Sequence, residues 1–209
     1  MTRIVYLHGF SSSPQSSKAR FFAEKFHAAG VPFVAPQLDQ GHFETLTISG
    51  QLTVVEQAVD GGPVVLMGSS LGGYLAALYA ARHVPDVEKL VLMAPAFRFP
   101  SRWKARFSEQ ELATWKARGS MPFFHYGYNE ERELGYQLIE DAAKYEGEPS
   151  FPQPALILHG RNDDVVPAAA SEQFAQRHPN AQLRLLDSGH ELTDVTGELW
   201  ALTAVFLAM

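Results

Sequence analysis

The chain has 209 residues, 46% of them hydrophobic and 19% charged, a length and balance that suit one globular domain able to bury roughly 70% of its unfolded surface. Its net charge of −6 argues against a nucleic-acid partner, which needs a basic patch or stripe. The absence of cysteine excludes disulfides, cysteine nucleophiles and thiolate metal sites together.

The opening Met1-Thr2-Arg3 leads into Ile4-Val5-Tyr6-Leu7, an apolar run too short for a signal peptide. No stretch approaches the ~20 apolar residues of a membrane span, so the expected location is the cytoplasm. Ile4 to Leu7 reads as a buried strand ended by His8-Gly9. Ser16 or Ser17 can cap a helix running to Ala29-Gly30, with Phe21, Phe22 and Phe26 as its apolar stripe. A second strand is expected over Val31 to Ala35, closed by Pro36, and a helix over Phe43 to Val59. Pro63 to Met67 reads as a strand, Leu71 to His83 as a helix, and Val87 to Met93 and Ala155 to Leu158 as strands. Ala168 to His178 reads as helix, Gln182 to Leu186 as strand and Val195 to Leu207 as the closing helix.

Continuously apolar strands alternating with helices predict an α/β fold, with about six mainly parallel strands covered by helices on both faces. One segment breaks the rhythm: approximately residues 96–152 show no strand pattern. They are rich in aromatics, among them Phe97, Trp103, Phe107, Trp115 and Phe123. Long insertions are usually functional or disordered, and disorder depletes aromatics, so a helical lid inserted in one domain is expected.

Gly68-Ser69-Ser70-Leu71-Gly72 matches Gly-x-Ser-x-Gly, following the Val64–Met67 strand and opening the next helix. That setting holds a serine hydroxyl exposed on a sharp turn. Only Ser70 has glycine at both −2 and +2, which ranks it above Ser69. A serine nucleophile needs a base, and the base an orienting acid, in the chain order Ser, Asp, His. The acid is expected in the loop after Ala155–Leu158, where Asp163 and Asp164 compete and Asp163 is chosen. The base is expected at His190, after the last strand. His27, His83 and His178 fall near helix ends, where a dipole contact is the plain explanation; His159 reads as structural, and His42 and His125 remain open as substrate contacts. The backbone N–H groups of Phe10 and Leu71 are the candidate oxyanion donors. No metal or cofactor motif appears, and none is expected.

Tyr6-Leu7-His8-Gly9-Phe10, Ser12-Ser13-Pro14, Lys18-Ala19 and Gly68-Ser69-Ser70-Leu71-Gly72-Gly73-Tyr74 resemble the small bacterial YqiA-like esterases of the α/β-hydrolase superfamily. Leu158-His159-Gly160 and Asp163-Asp164-Val165-Val166-Pro167 are similar to the acyl-protein thioesterase and acyl-glucuronide esterase branch, which also has a comparable aromatic lid. The resemblance implies the α/β-hydrolase fold, esterase or thioesterase activity, and Ser70, Asp163 and His190 as the triad. The aromatic lid predicts an apolar acyl or aryl group on a small-molecule ester or thioester. The same triad also serves amidases, peptidases and carbon–carbon hydrolases, and a hydrolase fold can bind a ligand without turnover.

Overall fold

A computed structural model describes residues 3–209; Met1 and Thr2, which entered the leader reading, lie outside the described residues. Six parallel strands form one sheet in the order β2-β1-β3-β4-β7-β8: β1 (Arg3–Leu7), β2 (Phe33–Val34), β3 (Val64–Ser69), β4 (Val87–Met93), β7 (Ala155–Gly160) and β8 (Ala181–Leu186). Every residue of β3 and β7 is buried, as expected for strands covered on both faces. Two apolar layers follow. One joins the sheet to α2 (Ile48–Val59), α3 (Leu71–Arg82) and the insertion; the other joins it to α1 (Ser17–Ala28) and α8 (Thr196–Leu207).

Most predicted elements appear with shifts of a few residues. Ser16 caps α1 by accepting from the Ala19 N–H. The expected 43–59 helix divides into a short 3-10 turn, Phe43–Thr45, and α2, which Thr47 caps through the Gly50 N–H. The expected Val31–Ala35 strand pairs only at Phe33 and Val34. Pro32 and Pro36 carry no N–H for the ladder, which suits a short strand at a sheet edge.

The insertion after β4 contains helices α4 (Phe99–Lys104), α5 (Glu109–Arg118) and α6 (Gln137–Ala142), as expected of a helical, aromatic lid. It also holds an antiparallel hairpin, β5 (Ser120–His125) with β6 (Glu130–Gly135), where the sequence showed no strand pattern. Met121, Phe123 and His125 face inward while Pro122 and Phe124 face out, a period-2 alternation masked by the proline and by the charged run 130–133 opposite. A two-stranded ribbon tolerates proline on its free edge.

The sheet order reverses direction between β1 and β3, so β1 and β3 feed diverging connections. Crevices at such switch points, outside the carboxyl ends of the strands, are where open α/β sheets bind ligands. The loops after β1, β3, β7 and β8 all emerge on that edge.

Candidate active site

The turn after β3 is built from close backbone approaches. A Cβ on Gly68 would sit 2.3 Å from the Gly72 carbonyl oxygen, and one on Gly72 would sit 2.1 Å from that of Leu7. Neither position has room for a side chain, which accounts for the two glycines around Ser70. Ser70 itself is held at φ +53°, a left-handed conformation that costs a non-glycine residue of order 1–3 kcal/mol and persists only where neighbours over-determine it. Here they do: the Ser70 N–H donates to the Met93 carbonyl at 2.9 Å, and the Ser70 carbonyl accepts from Tyr74 and Ala96. Ser69, the rival serine, is 5% exposed and lies within β3.

The strained turn sets Ser70 Oγ 3.0 Å from His190 Nε2, and His190 Nδ1 lies 2.8 Å from Asp163 Oδ2. The carboxylate fixes the tautomer: Nδ1–H donates to Asp163, leaving Nε2 to accept from the serine hydroxyl. Asp163 is buried and Asp164 exposed, so the structure brings the first of the two competing carboxylates to the imidazole. Asp163 Oδ1 also accepts from the Val165 and Val166 N–H groups at 2.9 and 2.7 Å. Burial pushes this carboxyl up, but the contacts from His159, His190 and Val166 more than offset it and hold it well below the usual carboxylate range.

His159, expected to be structural, stands behind that carboxylate. It is fully buried; its Nε2 faces the Val166 carbonyl at 2.8 Å and Asp163 Oδ2 at 3.0 Å, and its Nδ1 meets Ser171 Oγ at 2.8 Å. Nε2 therefore carries the proton and Nδ1 accepts the Ser171 hydroxyl. Its position at the end of β7, four residues before the acid, was the available sequence signal.

Leu71 opens α3, and Ser70 as its cap makes no side-chain bond to the first-turn N–H groups. The Leu71 N–H thus belongs to the uncapped positive end of the helix. Phe10 follows β1 beside it: a Cβ on Gly9 would lie 3.5 Å from Ser70 Cβ. His8 is buried with Nδ1 2.9 Å from the Gly9 carbonyl and Nε2 accepting from the Leu38 N–H at 3.3 Å. The Gly9 carbonyl and the Phe10 N–H share one peptide plane, so the His8 contact also orients that N–H. The Phe10 ring packs against Phe43, Trp103 and Phe123 at 5.4, 4.7 and 5.9 Å between centroids. Two of these three come from the insertion, which therefore walls the site.

The hairpin tip is fastened to the same loop. Gly127 N–H donates to the Ser11 carbonyl, and His125 Nε2 lies 3.6 Å from Asp39 Oδ2, both side chains being almost fully buried. The Tyr128 hydroxyl and Gln37 amide also reach Asp39. Burial pushes the Asp39 carboxyl up, and His125, Gln37 and the Gly41 N–H together hold it below the ordinary range. His125 is thereby buried between the hairpin and Asp39. His42 is exposed beside Glu44. His83 and His178 cap α3 and α7 (Ala169–Arg177), stacked on Tyr79 and Phe174, and His27 lies in the last turn of α1.

Among the described residues, no group of three His, Cys, Asp or Glu side chains is placed to hold a metal ion. None of their helices is long and apolar enough to cross a membrane. The fold and the Ser-His-Asp geometry support serine-hydrolase activity.

Known proteins resemble this chain in sequence and fold. Monoacylglycerol lipase ABHD6 is 23% identical in Bos taurus and 32% in Mus musculus over 235 aligned residues, covering 90% of this chain and 70% of each lipase. The structure of Est1E from Butyrivibrio proteoclasticus with ferulic acid bound superposes with a TM-score of 0.81 at 22% identity, covering 100% of this chain and 90% of that one. Mouse alpha/beta hydrolase domain-containing protein 10 gives a TM-score of 0.79 at 22% identity, covering 97% and 88%. The model of the uncharacterised protein family UPF0227 matches residues 3–207. The chain belongs to the UPF0227 family and has the α/β-hydrolase fold.

Proposed function

We propose that the chain hydrolyses carboxylic esters or thioesters, with Ser70 as nucleophile, His190 as general base and acid, and Asp163 as the carboxylate that orients it. The observation that carries this reading is the continuous contact from Ser70 Oγ through His190 to Asp163, at 3.0 and 2.8 Å. Ser70 Oγ attacks the substrate carbonyl carbon as His190 Nε2 takes the hydroxyl proton. The Phe10 and Leu71 N–H groups hold the negative oxygen of the tetrahedral intermediate. Collapse breaks the bond to the alcohol or thiol, which leaves with the proton from His190. Water then attacks the acyl-serine, His190 takes its proton, and the carboxylic acid departs as Ser70 is reprotonated. The aromatic wall of Phe10, Trp103 and Phe123 suits an apolar acyl or aryl group. A relative named as a monoacylglycerol lipase and a structural neighbour holding ferulic acid are both in keeping with such a group.

The test is p-nitrophenyl ester hydrolysis across acyl lengths, with Ser70→Ala beside the wild type. Loss of kcat by at least about ten-thousandfold is expected in the variant, together with loss of labelling by a fluorophosphonate probe. Equal rates in the two proteins reject Ser70 as nucleophile. A wild type that neither turns over esters nor takes the label is a ligand-binding hydrolase fold instead.

A further inference from the structure

Lys18 sits in the first turn of α1 and is buried, its side chain 8% exposed. Three physical costs meet there. Lysine is almost never fully buried unless paired. The first turn of a helix is the positive end of its dipole. Burial also pushes the ammonium toward its neutral form, and only Glu191 and Asp163 pull it back. The residue shares the inward stripe of α1 with Ala19, Phe22 and Phe26, an apolar face on which a methionine would avoid all three costs.

What the ammonium meets explains its presence. Nζ donates to the backbone carbonyl of Glu191, the residue after His190, and lies 3.8 Å from that residue's exposed carboxylate. The loop carrying His190 is otherwise anchored on its near side, where Asn162 N–H donates to the Ser188 carbonyl. Beyond His190, Leu192 is buried at φ +54°, and Ser188 Oγ bonds Asp194. Lys18 thus ties the far side of the histidine to a helix packed against the sheet. The acceptors around Nζ, a carbonyl and a carboxylate, favour the charged ammonium.

We propose that Lys18 is a positioning residue for the acyl-transfer reaction, its ammonium fixing the Glu191 peptide and, through it, His190. This rests on His190 being the general base. On its other side His190 meets Asp163, which has His159 and Arg102 near it, so the imidazole is held between that carboxylate and the peptide that Lys18 fixes.

Three substitutions test the contact. Lys18→Arg keeps donor and charge, Lys18→Gln keeps a donor without charge, and Lys18→Met keeps neither. With p-nitrophenyl acetate, Lys18→Met is expected to lose about tenfold in kcat with KM little changed, as for a displaced catalytic group. Lys18→Gln keeps more of kcat than Lys18→Met, and Lys18→Arg restores kcat to near the wild-type value, because each retained donor can still hold the Glu191 carbonyl. A wild-type kcat in Lys18→Met, or a Lys18→Arg as impaired as Lys18→Met, overturns the inference. Should Lys18→Met fail to fold, the Gln and Arg pair still decides: a kcat lower in Lys18→Gln than in Lys18→Arg at equal KM supports it, and wild-type kcat in Lys18→Gln overturns it. Ser70→Ala run in parallel separates the two readings: if it stays active the triad itself is wrong, whereas an inactive Ser70→Ala beside an unaltered Lys18→Gln rejects the role of Lys18 alone.

Discussion

Asp163 receives hydrogen-bond donors from two directions, the Val165 and Val166 N–H groups on Oδ1 and the His190 and His159 imidazoles on Oδ2. A carboxylate can accept from all four; a carboxamide offers one oxygen. In Asp163→Asn the oxygen stays with the two backbone donors, and the amide then faces both imidazoles. His190 must present a lone pair to it at Nδ1, which puts the proton on Nε2, where it can no longer accept from Ser70. The expected outcome is a fall in kcat of about ten-thousandfold at neutral pH with the fold retained, checked by ester hydrolysis beside far-UV circular dichroism. Asp164→Asn, at the exposed neighbour, serves as the control and keeps wild-type kcat. A small loss in Asp163→Asn, or a large one in Asp164→Asn, would reassign the acid.

At the scale of elements, the sequence disclosed what local rules determine and hid what depends on distant partners. The Gly68–Gly72 turn was legible because close backbone approach forbids any other residue at two of its positions. The strand ends that carry Asp163 and His190 were legible from the apolar run Ala155–Leu158 and the alternating pattern of Gln182 to Leu186. Asp163 could not be separated from Asp164 by pattern, since burial beside His190 decides it and that contact spans 27 positions. For the same reason His159 was legible only as structural and Lys18 only as part of a family resemblance, although a lysine on the stripe of Ala19, Phe22 and Phe26 was a visible anomaly. The hairpin β5–β6 was hidden by Pro122 and its charged partner strand, yet it changes how the insertion acts. Its tip is bonded to the loop after β1, and its Phe123 packs with Trp103 and Phe10. The insertion is then part of the site wall, and its loss is felt by every substrate. Trp103→Ala is expected to lower kcat about tenfold even on p-nitrophenyl acetate, whose acyl group is too small to use a long pocket, because Phe10 loses its closest ring and the loop after β1 its support. If only long-chain esters suffer, through KM, the insertion acts as a substrate cover alone.

Over the whole molecule, the groups that build the site also set its response to acid. His8 is pushed down from 6.5 to about 4, chiefly by burial, with the Gly9 carbonyl and Asp39 acting against that shift. The unfolded chain therefore binds a proton between pH 6.5 and 4 that the folded chain refuses. Stability contributed by a neutral His8 is complete above pH 6.5 and is lost as pH falls toward 4, by up to about 3 kcal/mol. Asp39 and Asp163, both held below the ordinary carboxylate range, act in the same direction but later. Their contribution is full above about pH 4 and drains as pH falls further, when the folded carboxylates finally take up protons. Urea unfolding at steps from pH 7.5 to pH 4 is expected to show a first decline centred between those two values, before any carboxylate effect. In His8→Gln the side-chain oxygen can still accept from the Leu38 N–H, yet nothing titrates. That variant starts lower at pH 7.5, having lost the Gly9 contact, and flattens over the same interval, so the two curves converge near pH 4. A variant curve parallel to the wild type throughout would place the acid sensitivity of this fold elsewhere than at the base of the loop that carries Phe10.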